Sequence, residues 1–172
     1  GSGTVGGKIE VKEAMTFSGT LQQTTYHNGL EISIDSGKTM TYTGSGFNIG
    51  NHTLKVSGGG TFDNTNNLTI DNAGSNLAIS NSTKVSRVLV SASGTGNGIT
   101  ISNNNANARL VENLQLSSSL SVTSDEAWEV GSITAGSALT FSNDKDLGIG
   151  SLSLTGNNAE MSLGASDITM SV

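Results

Sequence analysis

The sequence predicts an all-β chain wound as a parallel β-helix, and three observations carry that expectation. Apolar-x-apolar pairs recur: Leu68 and Ile70, Leu77 and Ile79, Val88 and Val90, Ile99 and Ile101. Alternation of this kind puts both apolar side chains on one face of a strand. Every second pair returns after 20 to 22 residues, and further on Leu114, Ile133 and Leu152 superpose at a spacing of 19. A period of that size marks a supersecondary unit stacked on copies of itself. Between the pairs lie Asn, Gly and Ser clusters suited to turns, and the 172 residues contain no proline. A coil paired above and below has few places for a missing N–H. The competing fold, an Ig-like sandwich, gives no such self-match.

Taken in order, residues 1–7 read as a flexible leader whose opening Gly-Ser-Gly looks like a cloning scar, and 8–172 as a single solenoid domain. Residues 8–13 (KIEVKE) alternate strictly, with Ile9 and Val11 facing one way and charges the other. That is a first strand or an N-terminal cap shielding the first coil. Residues 14–22 continue in β-like alternation through Met15 and Phe17, and four more apolar-alternating runs start at Leu30, Met40, Phe47 and Leu54. Phe47 leads to Leu68 after 21 residues and Leu54 to Leu77 after 23, and the glycines at 58–60 form a bend or tight turn. Downstream, Leu116 aligns with Ala135 and Leu154, and Leu120 with Leu139. In the third copy the match slips by one, placing Ala159 and Met161 at the later positions. No helix of two or more turns is supported; residues 106–112 are the best short candidate. With about 19–22 residues per coil, about eight coils fit, a rod on the order of 40 Å long. Leu77, Ile79, Ile99, Leu114, Ile133 and Leu152 are expected inside it.

Composition narrows the function classes. The eight basic residues never cluster and the net charge is −6, so a nucleic-acid footprint is excluded. No run of 18 apolar residues occurs, so this segment does not insert in a membrane as a helix. Absence of cysteine removes disulfides and thiolate metal sites. No cofactor is implied.

The search for catalytic groups finds little. His27 and His52 sit in turn-like segments, no G-x-S-x-G elbow occurs, and Arg87 and Arg109 have no obvious carboxylate cluster beside them. Carboxylates two apart in Asn143-Asp144-Lys145-Asp146 hint at a calcium loop, but Lys145 intrudes. The glycine run before Asp63 lacks the later phase of the calcium nonapeptide. Both read as polar turns. Thr39, Thr41 and Thr43 put three hydroxyls on one strand face, read as ordinary surface threonines. The chain is therefore not expected to be an enzyme.

One local anomaly is Asp125, Glu126, Trp128 and Glu129, which bring the only tryptophan together with three acids. Either Trp128 covers a coil corner beside solvated acids, or the four form a contact patch, since aromatic side chains anchor interfaces and sugars.

The phrasing of residues 114–124 and 133–143, with Asn-rich turns, no Cys and an acidic balance, resembles bacterial surface β-helix adhesins: autotransporter passenger domains and filamentous-haemagglutinin-like proteins. The resemblance spans most of residues 47–170 and carries over no functional residue. It implies export to the cell surface, a right-handed β-helical stalk, and a role in adhesion, aggregation or biofilm. Its partner would be a glycan or protein on a host or neighbouring cell, or the chain itself end to end. The alternatives are a self-assembling fibre or surface-layer subunit and, behind it, a glycan-active β-helix enzyme. End-to-end contacts are expected through Ile168, Met170 and Val172, which alternate without a guarding charge up to the last residue.

Overall fold

The computed structural model describes residues 7–21, 29–91, 98–136, 139–156, 160–163 and 168–170. Among these, all regular structure is β. The N-terminal half uses mostly short strands: β1 (Lys8–Val11), β2 (Met15–Phe17), β3 (Glu31–Ile34), β4 (Thr39–Tyr42), β5 (Phe47–Asn48), β6 (Thr53–Ser57), β7 (Thr61–Asn64), β8 (Leu68–Ile70) and β9 (Asn76–Ser80). The rest alternates longer and shorter ones: β10 (Lys84–Val90), β11 (Gly98–Ser102), β12 (Ala108–Leu116), β13 (Leu120–Ser124), β14 (Trp128–Ala135), β15 (Leu139–Asn143), β16 (Leu147–Leu154), β17 (Met161–Leu163) and β18 (Ile168–Met170).

Two sheets follow from this order. One runs β1-β3-β6-β9-β11-β13-β15-β17; the other runs β2-β4-β7-β10-β12-β14-β16-β18, with β5 and β8 alongside. The ladders within them are parallel, as in β9 with β11 and β12 with β14. The chain is a β-solenoid, each sheet stepping through eight rungs. At roughly 4.8 Å per rung the stack is on the order of 40 Å long.

Stacking places like on like. Leu54, Leu77, Ile99 and Val122 form one inner column of the first sheet, and Ile32, Val56, Ile79 and Ile101 the next. In the second sheet Phe47, Leu68, Val88, Leu114 and Ile133 stack in register. All of these are buried, and Leu152 is half-buried against them. Phe17, Tyr42 and Phe62 stack at 6.0 and 6.2 Å between ring centroids. No strand this short could bury its apolar pair alone; the neighbours above and below supply the surface.

The expected returns hold at Phe47 to Leu68, at Leu54 to Leu77 and along Leu114, Ile133 and Leu152. Three details differ. Coil length is more variable than 19–22: from Val88 to Leu114 a turn of the coil takes 26 residues, because the corner at 103–107 is long and Leu110 is an extra residue where β12 bulges against β14. Leu120 pairs with Phe141, not Leu139, and Leu139 pairs with Met161. The corner between the sheets lengthens from one coil to the next, so a fixed 19-residue match fails in the second half of the coil. The helix candidate at 106–112 is instead a turn at 106–107 leading into β12; pairing with β14 from Ala108 and with β10 from Val111 outweighs weak local helix propensity.

Corners are where the polar residues act. Between β7 and β8 the chain kinks while β10 runs straight past both. The buried Asn64 amide fills the gap: it donates to the carbonyls of Asn66 (2.8 Å) and Arg87 (2.6 Å) and accepts from the Arg87 N–H (3.2 Å). Asn81, Ser82, Asn103 and Asn107 take left-handed φ near 53–59°, which Asn tolerates better than most residues. The corner after β6 needs glycine outright. Gly58 has φ 98°, and a Cβ on Gly60 would lie 2.6 Å from the Asp35 carbonyl oxygen and 2.8 Å from that of Lys38. Gly60→Ala is expected to lose about 1–3 kcal/mol by overpacking against immovable backbone, read as a lower urea midpoint.

β1 pairs with β3 and carries its charges outward: Lys8 lies 3.1 Å from Glu10 and 3.8 Å from Glu31, and Lys12 3.8 Å from Glu10. The hydrogen bond from Lys8, then the charges of Lys8 and Lys12, hold the Glu10 carboxyl below its usual value of 4.5. Lys8 is raised above 10.5, first by the hydrogen bond to Glu10 and then by the charges of Glu31 and Glu10. The Glu10 contribution is therefore present above pH 4.5 and lost as pH falls through its lowered folded value. That of Lys8 is complete below pH 10.5 and lost as pH rises through its raised value. Both side chains are exposed, so the effect is small and screened by salt. Amide exchange in β1 is expected to speed up relative to β9 on the acid side of this window, less so in high salt.

Candidate functional site: a polar groove on the second sheet

Where β8, β10, β12 and β14 lie side by side, two outward columns are set by the ladder. Arg87, Asn113, Ser132 and Ser151 form one; Thr69, Leu89, Gln115, Thr134 and Ser153 form the other. Each alternates with an inward column of Val88, Leu114 and Ile133, so burial of the core fixes which residues face out. Side-chain length drops from Arg87 and Gln115 to Ser132 and Thr134. The step leaves a groove of about 280 Å³ lined by Asn67, Arg87, Asn113, Gln115, Ser132 and Thr134 over Val88 and Leu114.

Several groups in the groove are held in place. Asn64 clamps the Arg87 backbone on both its N–H and its carbonyl. The Asn113 amide donates to the Ser86 carbonyl at 3.3 Å, and its oxygen accepts from the Ser132 hydroxyl at 3.0 Å. The Arg87 guanidinium is exposed and makes no ion pair among the described residues. Chemically, the groove offers one cation and a row of amides and hydroxyls able both to donate and to accept.

A second depression of about 250 Å³ lies on the same sheet beside Arg109, Glu129 and Asp146, with Gly148 and Gly150 as its floor. Here the coil assembles what the linear sequence separates. Arg109 lies 3.9 Å from Glu112 and 3.8 Å from Glu129, so it does stand between carboxylates, contrary to the reading from sequence. All three side chains are 39–47% exposed. Ion pairs this long and wet contribute little.

The four residues of the expected contact patch do not share a surface. Trp128 is fully buried, packed in register between Ala108 and Leu147, with its indole N–H donating to Asn143 Oδ1 at 3.1 Å. A small residue above it gives the ring its room. Asp125 and Glu126 are exposed and Glu129 half-buried. Asp125 accepts from the Asn103 N–H, and one rung on, Asp144 accepts from the Ser124 N–H at 2.8 Å. These aspartates stitch corners together. The signal that places Trp128 inside was present: it precedes Leu147, a core residue, by the same 19 residues that separate Asp125 from Asp144. For the groove there was a fainter one, since Asn113, Ser132 and Ser151 each precede an aligned core residue.

Ile168 and Met170 lie on β18, opposite Leu147 and Ile149 of β16. Val172 and His27 lie outside the described residues, as do residues 1–6 of the expected leader. Among the described residues no three His, Asp or Glu side chains gather as a metal site, and no helix is long and apolar enough to cross a membrane.

In comparisons with known proteins, no family model, no curated protein and no solved structure matches this chain.

Proposed function

We propose that this chain is an extracellular structural and adhesive segment of a bacterial surface protein, working in adhesion, aggregation or biofilm. The observation that carries the reading is the outward face of the second sheet, where Asn, Gln, Ser and Thr recur rung after rung on a rigid parallel scaffold. Such groups bind sugars and peptide surfaces weakly one at a time. Fixed on a stack of strands, they lose little conformational freedom on binding. Many copies of the segment on one cell then add by multivalency.

Beads coated with the protein are expected to attach to, or aggregate, bacterial or host cells more than beads carrying an unrelated acidic protein of similar size. Equal attachment across a broad panel of cells would overturn the reading. Light scattering over a concentration series separates it from the fibre-subunit alternative: an adhesive segment keeps a constant mass, whereas a fibre subunit grows. No cleavage of a polysaccharide panel is expected. Turnover that vanishes in Glu129→Gln would assign the chain to the enzymes instead.

A further inference from the structure

We propose that the groove beside Arg87 is a binding site for an acidic glycan, with Arg87 pairing to a sugar carboxylate while Asn113, Gln115, Ser132 and Thr134 engage the ring hydroxyls. The inference rests on the adhesive reading and names the ligand class.

Charge makes the first argument. The chain carries a net charge of −6 and has only two arginines. Arg109 is engaged by Glu112 and Glu129, whereas Arg87 makes no ion pair among the described residues. Glu112, one residue before Asn113 of the groove, is already within 3.9 Å of Arg109. A guanidinium with no carboxylate partner among the described residues, at the edge of a polar groove, favours an anionic ligand, and its planar fork suits a carboxylate two oxygens at a time.

Preorganisation is the second. Asn64 holds the Arg87 backbone from both sides, and the Ser132–Asn113 and Asn113–Ser86 hydrogen bonds fix the neighbouring amide. The Arg87 backbone and the Asn113–Ser132 pair thus need no reordering when a ligand arrives, while the exposed Arg87 and Gln115 side chains are ordered by the ligand itself.

Shape and chemistry complete it. About 280 Å³ is at the small end of ligand pockets and fits one or two sugar rings. The lining is amide and hydroxyl with apolar patches only at the base, which matches a ligand that is mostly hydroxyl. Among the described residues no aromatic platform lines the groove, so a single site is weak and the binding is useful only in multiple copies.

The test is an NMR titration of the intact chain with three oligosaccharides of equal length: one of uronic acids, one of the corresponding neutral sugars, and one sulfated. The uronic-acid oligomer is expected to shift the amides of Arg87, Asn113, Gln115, Ser132 and Thr134, with affinity falling as salt is added. Arg87→Gln keeps the backbone clamp to Asn64, should melt like the parent, and is expected to weaken binding roughly tenfold or more. Arg87→Lys is expected to recover part of the loss, since charge returns without the fork. Shifts absent from the groove, or equal for the neutral oligomer, overturn the inference, and a response to the sulfated oligomer alone overturns the carboxylate assignment. If coated beads still attach to cells when the groove is silent, this inference falls and the adhesive reading stands. If attachment fails while uronic-acid binding is seen at Arg87, the reverse holds.

Discussion

Trp128→Ala is expected to destabilise the solenoid by about 3–5 kcal/mol. The side chain is fully buried between Ala108 and Leu147, and neither neighbour can expand into the space it leaves. The rungs are fixed at strand spacing by their hydrogen bonds, so collapse around the cavity is limited. The substitution also removes the indole donor to Asn143 Oδ1, itself at a mostly buried position. Trp128→Phe separates the two effects: most of the apolar volume stays and the donor goes, for an expected loss of about 1–3 kcal/mol. Urea unfolding of the three proteins checks the order. A Trp128→Ala protein as stable as the parent would mean that the ring is not in the core.

Leu77→Ala carries the second large effect, about 2–5 kcal/mol. Leu77 is fully buried in mid-stack, with Leu54 on one side and Ile99 on the other. A solenoid is held by nearest-neighbour interfaces, so weakening a central rung separates the coils before it from those after it. Unfolding should therefore broaden and lose its single sharp transition as well as move to lower urea. Leu152→Ala, at a half-buried position towards the far end, is expected to cost less and to leave the transition sharp. Equal effects at the two sites would contradict the stacked-rung account.

The fold was legible because its period is written twice, in the apolar pairs and in the turn residues between them. Leu77 over Leu54 and Ile133 over Leu114 follow from counting alone. Counting failed where corners change length: Phe141, not Leu139, lies over Leu120, since residues added at a turn move the strand without disturbing the ladder. Residues 106–112 misled for a local reason, because Ala, Arg, Leu and Glu favour helix until strands on both sides claim them. The groove was barely legible. Outward positions answer to no packing constraint, so Arg87, Asn113 and Ser132 share no residue type, only a place one step before a core residue. Trp128 and the surrounding acids stand out by composition, yet position in the repeat decides that the ring points in and that Asp125 binds backbone at a corner.

The stacked core depends on the rung register, and paired cysteines test that register most directly because the chain has none of its own. Thr100 and Thr123 are exposed Cα partners on β11 and β13, while Val122, next to Thr123, is buried. A disulfide requires Cα atoms about 4.4–6.8 Å apart and side chains directed at each other. Neighbouring residues of a strand face opposite ways, so a slip of one residue exchanges inside for outside. Mild oxidation is expected to bridge the Thr100→Cys, Thr123→Cys protein within a single chain and to leave the Thr100→Cys, Val122→Cys protein unbridged. Bridging of the second pair without the first would show that the strands of the first sheet stack in another register, and the core would have to be redrawn.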